Sequence, residues 1–595
     1  LEIKQNFHRD LFIEITDSKC YNQSQSMKTK WQIAKPIPEE IKSKFPEISP
    51  VVLQLLFNRG LKSQGSIDEF LNPDYGQDIH DPFLFKDMPK AVKRIFQAIQ
   101  NKEKITVHGD YDADGVCATV TLVTTLKALG GEVNVYIPHR MSEGYGMNLK
   151  TVNELAKNGT QLIITVDCGI ANVEEVNSAR EKGIDVIITD HHEPQPELPQ
   201  ALAIINPRVP GDNYPYMDLA GVGVAFKLAE ALVREDKNKK LEPGFEKWLL
   251  DLVAIGTIGD CVSLVGENRT LVKYGMVVLK KTRRPGLHEL IASTRFSLET
   301  LDSVSVAFGI VPRLNAAGRI DHANTAYELL MTNDIKVAKK VAMQLEETNK
   351  KRQQQTDKIV KESKKQIGKI ASQKILFANG KDWTVGIVGL VAGRLADEYS
   401  RPVIIMGERD GEIVGSGRSI PAFDITKALI ASRGLLERFG GHAAACGFTL
   451  KKSNLEKFKK KMESLADKLI NKEDMVKKFF IDCEAELSQI DWDLVVQLGN
   501  FGPFGEGNPS PHFIANRLEV VDLQKVGNDG KHLRLVLQQK STTRKVIAFG
   551  FGNGWGNELK IGDMIDIIFE VSVNEWNGSK ELQLKMNDLK MSEVI

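Results

Sequence analysis

Three short apolar runs in the first half of the chain each break off on an acid or an imidazole. Residues 104–107 (KITV) lead into HGDYDADG at 108–115, residues 162–166 (LIITV) into Asp167, and residues 185–189 (DVIIT) into Asp190, His191 and His192. Short β-rich runs alternating with helical stretches predict βαβ units and a parallel sheet. A residue directly after such a run stands at the carboxyl end of its strand, the edge where ligands bind in a parallel sheet. Three strand ends of this kind can converge on one point.

The alternation extends over about 91–275 and a mixed stretch completes a domain over 91–325, followed by a stretch, 326–370, with no proline and no glycine before Gly368. This predicts one long helix or two abutting ones connecting two α/β regions. The second region, 371–470, has the runs KILFA (374–378) and RPVIIMG (401–407) and the Gly-rich segments VGSGRS (414–419) and FGGHAAACGF (439–448). From 471 to 595 short alternating segments take over: HLRLVLQ (532–538), KVIAFGFG (545–552), MIDIIFEVSV (564–573) and ELQLKMNDL (581–589). Turn residues divide them, which predicts a small antiparallel barrel of the five-stranded OB type, a frequent single-strand nucleic-acid module. Residues 27–90 read as a small helical segment. Residues 1–26 are polar and mixed, and are read as a leader outside the native fold, with Met27 as the natural start.

Composition narrows the class without naming it. The chain has 595 residues, 42% hydrophobic and 26% charged, enough for several globular domains. Its most apolar stretch, 249–265, is interrupted by Asp251 and Asp260 and falls short of the ~20 residues of a membrane span. Six scattered cysteines with no CxxC pair fit reduced thiols in a cytoplasmic protein. A net charge of +1 leaves a nucleic-acid partner open, because binding needs only a local basic surface. Lysine-rich stretches occur at 336–344, 349–355 (NKKRQQQ) and 451–468, each most simply read as a solvated helix face.

The strand-end groups change the picture. His108, Asp110, Asp112 and Asp114 crowd four acidic or imidazole side chains into seven residues. Such groups repel and shift one another's pKa values unless a cation neutralises them. An Asp-rich surface turn or a lone Ca²⁺ loop would explain the segment in isolation. The core strand before it and the apolar helical pattern at 116–129 after it weigh against that. Asp167 gains meaning from repetition of the pattern, and the acid-imidazole-imidazole run 190–192 predicts metal or phosphate contact. Asp260 is an acid inside an otherwise apolar segment, where pairing with a metal would remove the cost of burial. Hard oxygen ligands with imidazoles suit Mn²⁺ or Mg²⁺, so the chain reads as a metal-dependent hydrolase.

In this order, HGDYDADG, TVDCG, DHH, IGDCVSL and PRLNAAGR (312–319) resemble the motifs of the DHH phosphoesterase superfamily. GSGRS and GGHAAACGF resemble its DHH-associated domain, and FGPFGEGNPSPHF (501–513) with the barrel resembles the single-strand exonuclease branch. The resemblance covers about residues 80–595. It implies two divalent cations, Mn²⁺ or Mg²⁺: His108, Asp112 and Asp167 hold one, and Asp114, Asp167, His191 and Asp260 the other. Asp110 and Asp190 adjust these ligands, and His192 contacts the scissile phosphate or assists proton transfer. Arg313, Asn315, Arg319, Ser416, Arg418, Gly440, Gly441 and His442 grip substrate phosphates, with Arg313 also aiding catalysis. One departure is Thr384, where the family often has His after Trp383.

The implied activity is 5′→3′ degradation of single-stranded DNA to 5′-mononucleotides by a monomeric enzyme of DNA repair, mismatch repair and recombination. A channel between the α/β halves would exclude duplex, and the barrel would feed in the strand. Phe501, Phe504, Trp555 and Trp576 are candidate stacking platforms, though core packing or turn anchoring explains each more simply. Implied partners are single-strand-binding protein and a RecQ-type helicase. The alternative is a phosphodiesterase of the same superfamily acting on short oligonucleotides or cyclic dinucleotides. The extra residues after the second α/β half argue against it, and the filled ligand positions argue against an inactive scaffold.

Overall fold

The computed structural model describes residues 12–22, 25–140, 142–294, 296–370, 372–409, 411–576 and 578–593. Two units divide the chain: 72–358 with 502–509, and the remainder. Two strands open the chain, β1 (Phe12–Asn22) and β2 (Gln25–Ala34), paired antiparallel. This differs from the expected leader: residues 12–22 and 25–26 are strand, while 1–11 lie outside the described residues. It also puts a strand at 27–34, at the start of the segment read as helical. The physical reason is the β-branched and aromatic content of FIEIT and WQI, which favours a pleated partner over a helix.

The first α/β unit is built on a parallel sheet of β3 (Lys104–His108), β4 (Glu132–Tyr136), β5 (Leu162–Val166), β6 (Asp185–Thr189) and β7 (Ala203–Ile205), in the order β4-β3-β5-β6-β7. The order reverses at β3, so its carboxyl end and that of β5 flank a crevice between diverging connections. Helices α1 (Ala113–Ala128), α2 (Gly221–Arg234) and α3 (Leu250–Gly259) are buried over most of their surface. They are apolar nearly all round, as helices in the middle of a core must be. A shorter helix, α4 (Val311–Ile320), carries the PRLNAAGR motif and follows a π-turn at Val306–Ile310. The connection between the α/β regions is two abutting helices, Asn324–Met331 and then α5 (Ile335–Ile367).

The second unit holds a five-stranded sheet of β8 (Leu376–Gly380), β9 (Val403–Arg409), β10 (Glu412–Arg418), β11 (Arg438–His442) and β12 (Ala445–Lys451), ordered β11-β12-β10-β9-β8. Helix α6 (Val385–Tyr399) covers one face, burying Ile387, Val388, Val391 and Leu395. After β13 (Lys477–Ile481) and β14 (Cys483–Glu484) comes the barrel: β15 (Phe513–Val526), β16 (His532–Gln539), β17 (Thr542–Ala548), β18 (Met564–Trp576) and β19 (Ser579–Met591). β15 pairs with both β16 and β18, so the five strands close on themselves and leave no free edge. The expected architecture holds: two α/β regions, a long connecting helix and a C-terminal five-stranded barrel.

The N-terminal strand is tied to this barrel. β13 runs parallel to β2, and Trp31 packs with Ile481, Ile514 and Ile568. The Trp31 indole and the Thr29 hydroxyl each donate to the fully buried Asp588 carboxylate at 2.8 Å. Trp31→Phe removes one donor to this buried carboxyl group, at a cost of about 1–3 kcal/mol. The expected outcome is faster protease cleavage around residues 25–34 with the α/β regions still protected; unchanged cleavage would contradict the tie.

Candidate metal centre

Each ligand candidate is placed by a local feature of the chain. β3 ends on His108, which is fully buried. Asp112 caps α1, its Oδ1 accepting from the amides of Asp114 at 2.9 Å and Gly115 at 3.1 Å. Asp114, in the first turn of α1, accepts from the first amides of α2: Gly221 N–H at 2.7 Å and Val222 N–H at 3.0 Å. Asp167 follows β5 with φ +61°, a strained backbone for a non-glycine residue, as found at over-determined functional sites. Asp260 is the residue that ends α3, not a strand end.

These elements bring the acids together with His191 and His192, while His108 joins none of the close groups. His191 Nε2 lies 3.1 Å from Asp167 Oδ1 and 3.6 Å from Asp260 Oδ2. Ligand atoms of Asp110, Asp112 and Asp167 lie within 4.8 Å of one another, as do those of Asp114, His191 and Asp260, and those of Asp167, His191 and His192. Asp167 and His191 each belong to two of these groups. Small residues allow the crowding. A Cβ on Gly221 would sit 2.3 Å from Asp167 Oδ1, and one on Gly256 would sit 2.5 Å from Asp114 Oδ1.

The chemistry of the donor set fits a divalent cation. His108 Nε2, Asp110 Oδ1, Asp167 Oδ1, His191 Nε2 and Asp260 Oδ2 are buried without a hydrogen-bond partner among the described residues. Orphaned polar atoms at this density would be strongly destabilising unless a cation took them as ligands. Burial, and then the charges of Asp114 and Asp112, push the Asp167 carboxyl far above its ordinary range. Burial and Asp112 raise Asp114 to about 7, and burial and Asp114 raise Asp260 to about 9. Burial also raises Asp110, and lowers His108 to about 4 and His191 to about 3.

His192 and Asp190 form a different pair. Asp190 Oδ1 is 2.8 Å from His192 Nδ1 and also accepts from the His191 and His192 amides. Burial would raise Asp190, but the His192 hydrogen bond and charge outweigh it and hold the carboxyl below its usual range. Burial opposes the His192 charge, yet the Asp190 bond raises its pKa.

Sequence reasoning missed Tyr145. Its hydroxyl donates to the Asp167 carbonyl at 3.0 Å and lies 3.0 Å from His192 Nδ1. The available signal was the GYG triplet, whose glycines have φ of +88° and +78° and hold the aromatic on a tight turn.

Of the residues expected to grip phosphate, Asn315 accepts from the Ala113 amide at 2.7 Å, which fixes α4 against the start of α1. Arg313 is largely buried, bound to Glu346 at 2.6 Å and to the Gly309 carbonyl at 2.6 Å. The charge of Arg319 acts on the buried Tyr111 hydroxyl of the HGDYDADG loop. Ser416, Arg418, Gly440, Gly441 and His442 belong to the other unit. Cross-strand register puts Ser416 and Gly440 on either side of Gly447, and Arg418 and His442 on either side of Ala445. One end of that sheet therefore collects all five. Phe501 is a core residue, edge-on to Phe70, and Trp555 is also buried. Phe504 is half-buried, and the Trp576 side chain lies outside the described residues.

A parallel sheet whose strand ends deliver acids and histidines to one buried point defines a metallo-domain of the DHH class. The DHH family N-terminal domain matches residues 104–257, the DHHA1 domain 368–468 and the RecJ OB domain 481–588. The single-stranded-DNA-specific exonuclease RecJ of Bacillus subtilis (strain 168) is 39% identical over 572 residues, spanning 95% of this chain and 71% of that protein. RecJ of Escherichia coli (strain K12) is 29% identical over 564 residues, 91% of this chain and 96% of that one. The crystal structure of RecJ from Thermus thermophilus in complex with Mn²⁺ matches with a TM-score of 0.80 at 29% identity, over 95% of this chain and 80% of that one. Its Mg²⁺ complex matches at 0.74 and 27%, over 95% and 79%. The chain belongs to the RecJ family. No helix among the described residues is long and apolar enough to cross a membrane.

Chelation should expose the charge imbalance. Between about pH 7 and 9 the two buried ligand histidines are largely neutral in both folded and unfolded protein. Asp114 and Asp260 keep protons when folded up to about 7 and 9, but ionise near 4 when unfolded. The folded state then binds more protons, so stability falls as pH rises. The melting temperature of EDTA-treated protein should drop across this window, and saturating Mn²⁺ should flatten the profile. A chelated profile that rises with pH would contradict the charge assignment.

Proposed function

We propose that the chain is a single-strand-specific exodeoxyribonuclease that hydrolyses phosphodiesters with two divalent cations, proceeding 5′→3′ and releasing 5′-mononucleotides. The observation that carries this reading is the set of orphaned buried ligand atoms shared out around Asp167 and His191. In the proposed assignment His108, Asp112 and Asp167 hold one cation, Asp114, Asp167, His191 and Asp260 the second, and Asp110 lies against the first set. Bound there, the cations supply a hydroxide nucleophile at neutral pH and neutralise charge building on the phosphate.

The protein's own groups do the rest. Asp190 fixes His192 through Nδ1 and favours its protonated form, so the half-exposed imidazole can hold a phosphate oxygen or return a proton to the leaving 3′ oxygen. Tyr145 touches the same imidazole and braces the Asp167 backbone. Arg313, set by Glu346, and Arg319 supply positive charge along α4, while Ser416, Arg418 and His442, with the exposed glycines 440 and 441, supply a phosphate-binding edge on the second sheet. The closed barrel, a fold of single-strand binders, suits long strands better than dinucleotides. Recruitment by single-strand-binding protein and a RecQ-type helicase, and action as a monomer, belong to the same reading.

Two measurements test it. Asp167→Ala should abolish Mn²⁺-dependent hydrolysis, with a fall of roughly 10³-fold or more, while circular dichroism stays native; undiminished turnover would refute the shared-ligand role. Digestion of long single strands labelled at either end, with Mn²⁺ or Mg²⁺, should release the 5′ label first as mononucleotide. Cleavage of dinucleotides or cyclic dinucleotides alone would favour the other reading.

A further inference from the structure

The lysine-rich segment NKKRQQQ has no part in the site so far, yet one of its residues faces that site's arginine. On α5, Glu346, Asn349 and Arg352 follow one another at spacings of three residues and so lie along one side of the helix. Glu346 binds Arg313 at 2.6 Å and has Lys350 at 3.6 Å on its other oxygen. Asn349 is almost fully buried, and its Oδ1 accepts from Arg352 Nε at 3.1 Å. This bond orients the guanidinium and leaves Nη1 and Nη2 without a hydrogen bond among the described residues.

Arg352 is also more than half desolvated and lies within the field of Arg313; burial and then that like charge lower its pKa. Glu346, about two turns earlier on the helix, is already committed to Arg313 and Lys350. The Arg352 fork, free and within the field of Arg313, has no ion pair among the described residues, and an anion with several acceptor oxygens would relieve it. A phosphodiester has that chemistry, and the fork of an arginine matches it bidentately.

We propose that Arg352 binds a backbone phosphate of the substrate strand beside Arg313, with Asn349 as the residue that aims it. This rests on the reading of the chain as a single-strand nuclease and extends the phosphate path from α4 onto α5. At a rise of about 1.5 Å per residue, Arg352 stands about 9 Å along the helix from Glu346.

The test uses the full chain with Mn²⁺ and an oligothymidylate of about 30 nucleotides. The parent is assayed first, and a parent that neither binds nor cuts single strands overturns the functional reading itself. With an active parent, Arg352→Gln should raise KM about tenfold with kcat within about twofold. It should also lower the slope of log affinity against log salt by about 0.7, the loss of one phosphate contact on a single strand. Arg352→Lys keeps the charge and should restore the slope while KM recovers in part. Asn349→Ala should raise KM while leaving the slope near the parent's. A parental slope and KM in Arg352→Gln, or a loss confined to kcat, overturns the proposal, because a merely structural role would not change the number of ions released.

Discussion

The fold's central constraint is an excess of negative charge held away from water. Asp110, Asp114, Asp167 and Asp260 are brought together at the mouth of one sheet, with neutral imidazoles for company. Such a set is stable only if a cation completes it or if protons stay on. Its neighbourhood follows from that demand. The strained Asp167 backbone, the glycines at 221 and 256 and the caps on α1 and α2 all serve to bring carboxylates closer than their charges allow. The energy for this comes from the surrounding apolar core, where α1, α2 and α3 bury almost every side chain.

Electrostatics divides the site in two. The buried carboxylates favour protons or metal, whereas Asp190 is held ionised by His192 only two positions away in sequence. Neighbouring positions therefore do opposite work. Asp190 faces the amides of the turn and the His192 ring, and His191 turns inward to Asp167 and Asp260. In the turn after β6 the inward imidazole and the half-exposed one part company. A group able to carry a proton thus stands beside groups suited to carry metal.

Much of this was legible in the sequence because strand-end chemistry follows simple rules. KITV, LIITV and DVIIT are short, β-branched and abruptly terminated, so the positions of His108, Asp167 and Asp190 could be read directly. The long helix was marked by its lack of proline and glycine, and the barrel by its alternation. Other features depend on tertiary context. Tyr145 reaches the site from a loop whose only mark is a pair of glycines. Asn315 reads as a polar residue awaiting a ligand, yet it satisfies the amide of Ala113. The pairing of Arg313 with Glu346 joins residues 33 apart on two helices, and no local pattern announces it. The strand at 27–34, read as helical, depends on context in a related way: its parallel partner β13 is far away in the chain.

That last dependence has a consequence in time. Trp31 and Asp588 are separated by 557 positions in the chain. At roughly 5–20 residues per second, a ribosome emits the tryptophan about half a minute to two minutes before the aspartate. Until β13 is made, β2 has one unpaired edge, and until Asp588 is made the Trp31 indole lacks its acceptor, a combination that invites association with neighbouring chains. A strand made early in the chain thus waits on partners made much later, and the yield during synthesis depends on how long it is kept apart from others.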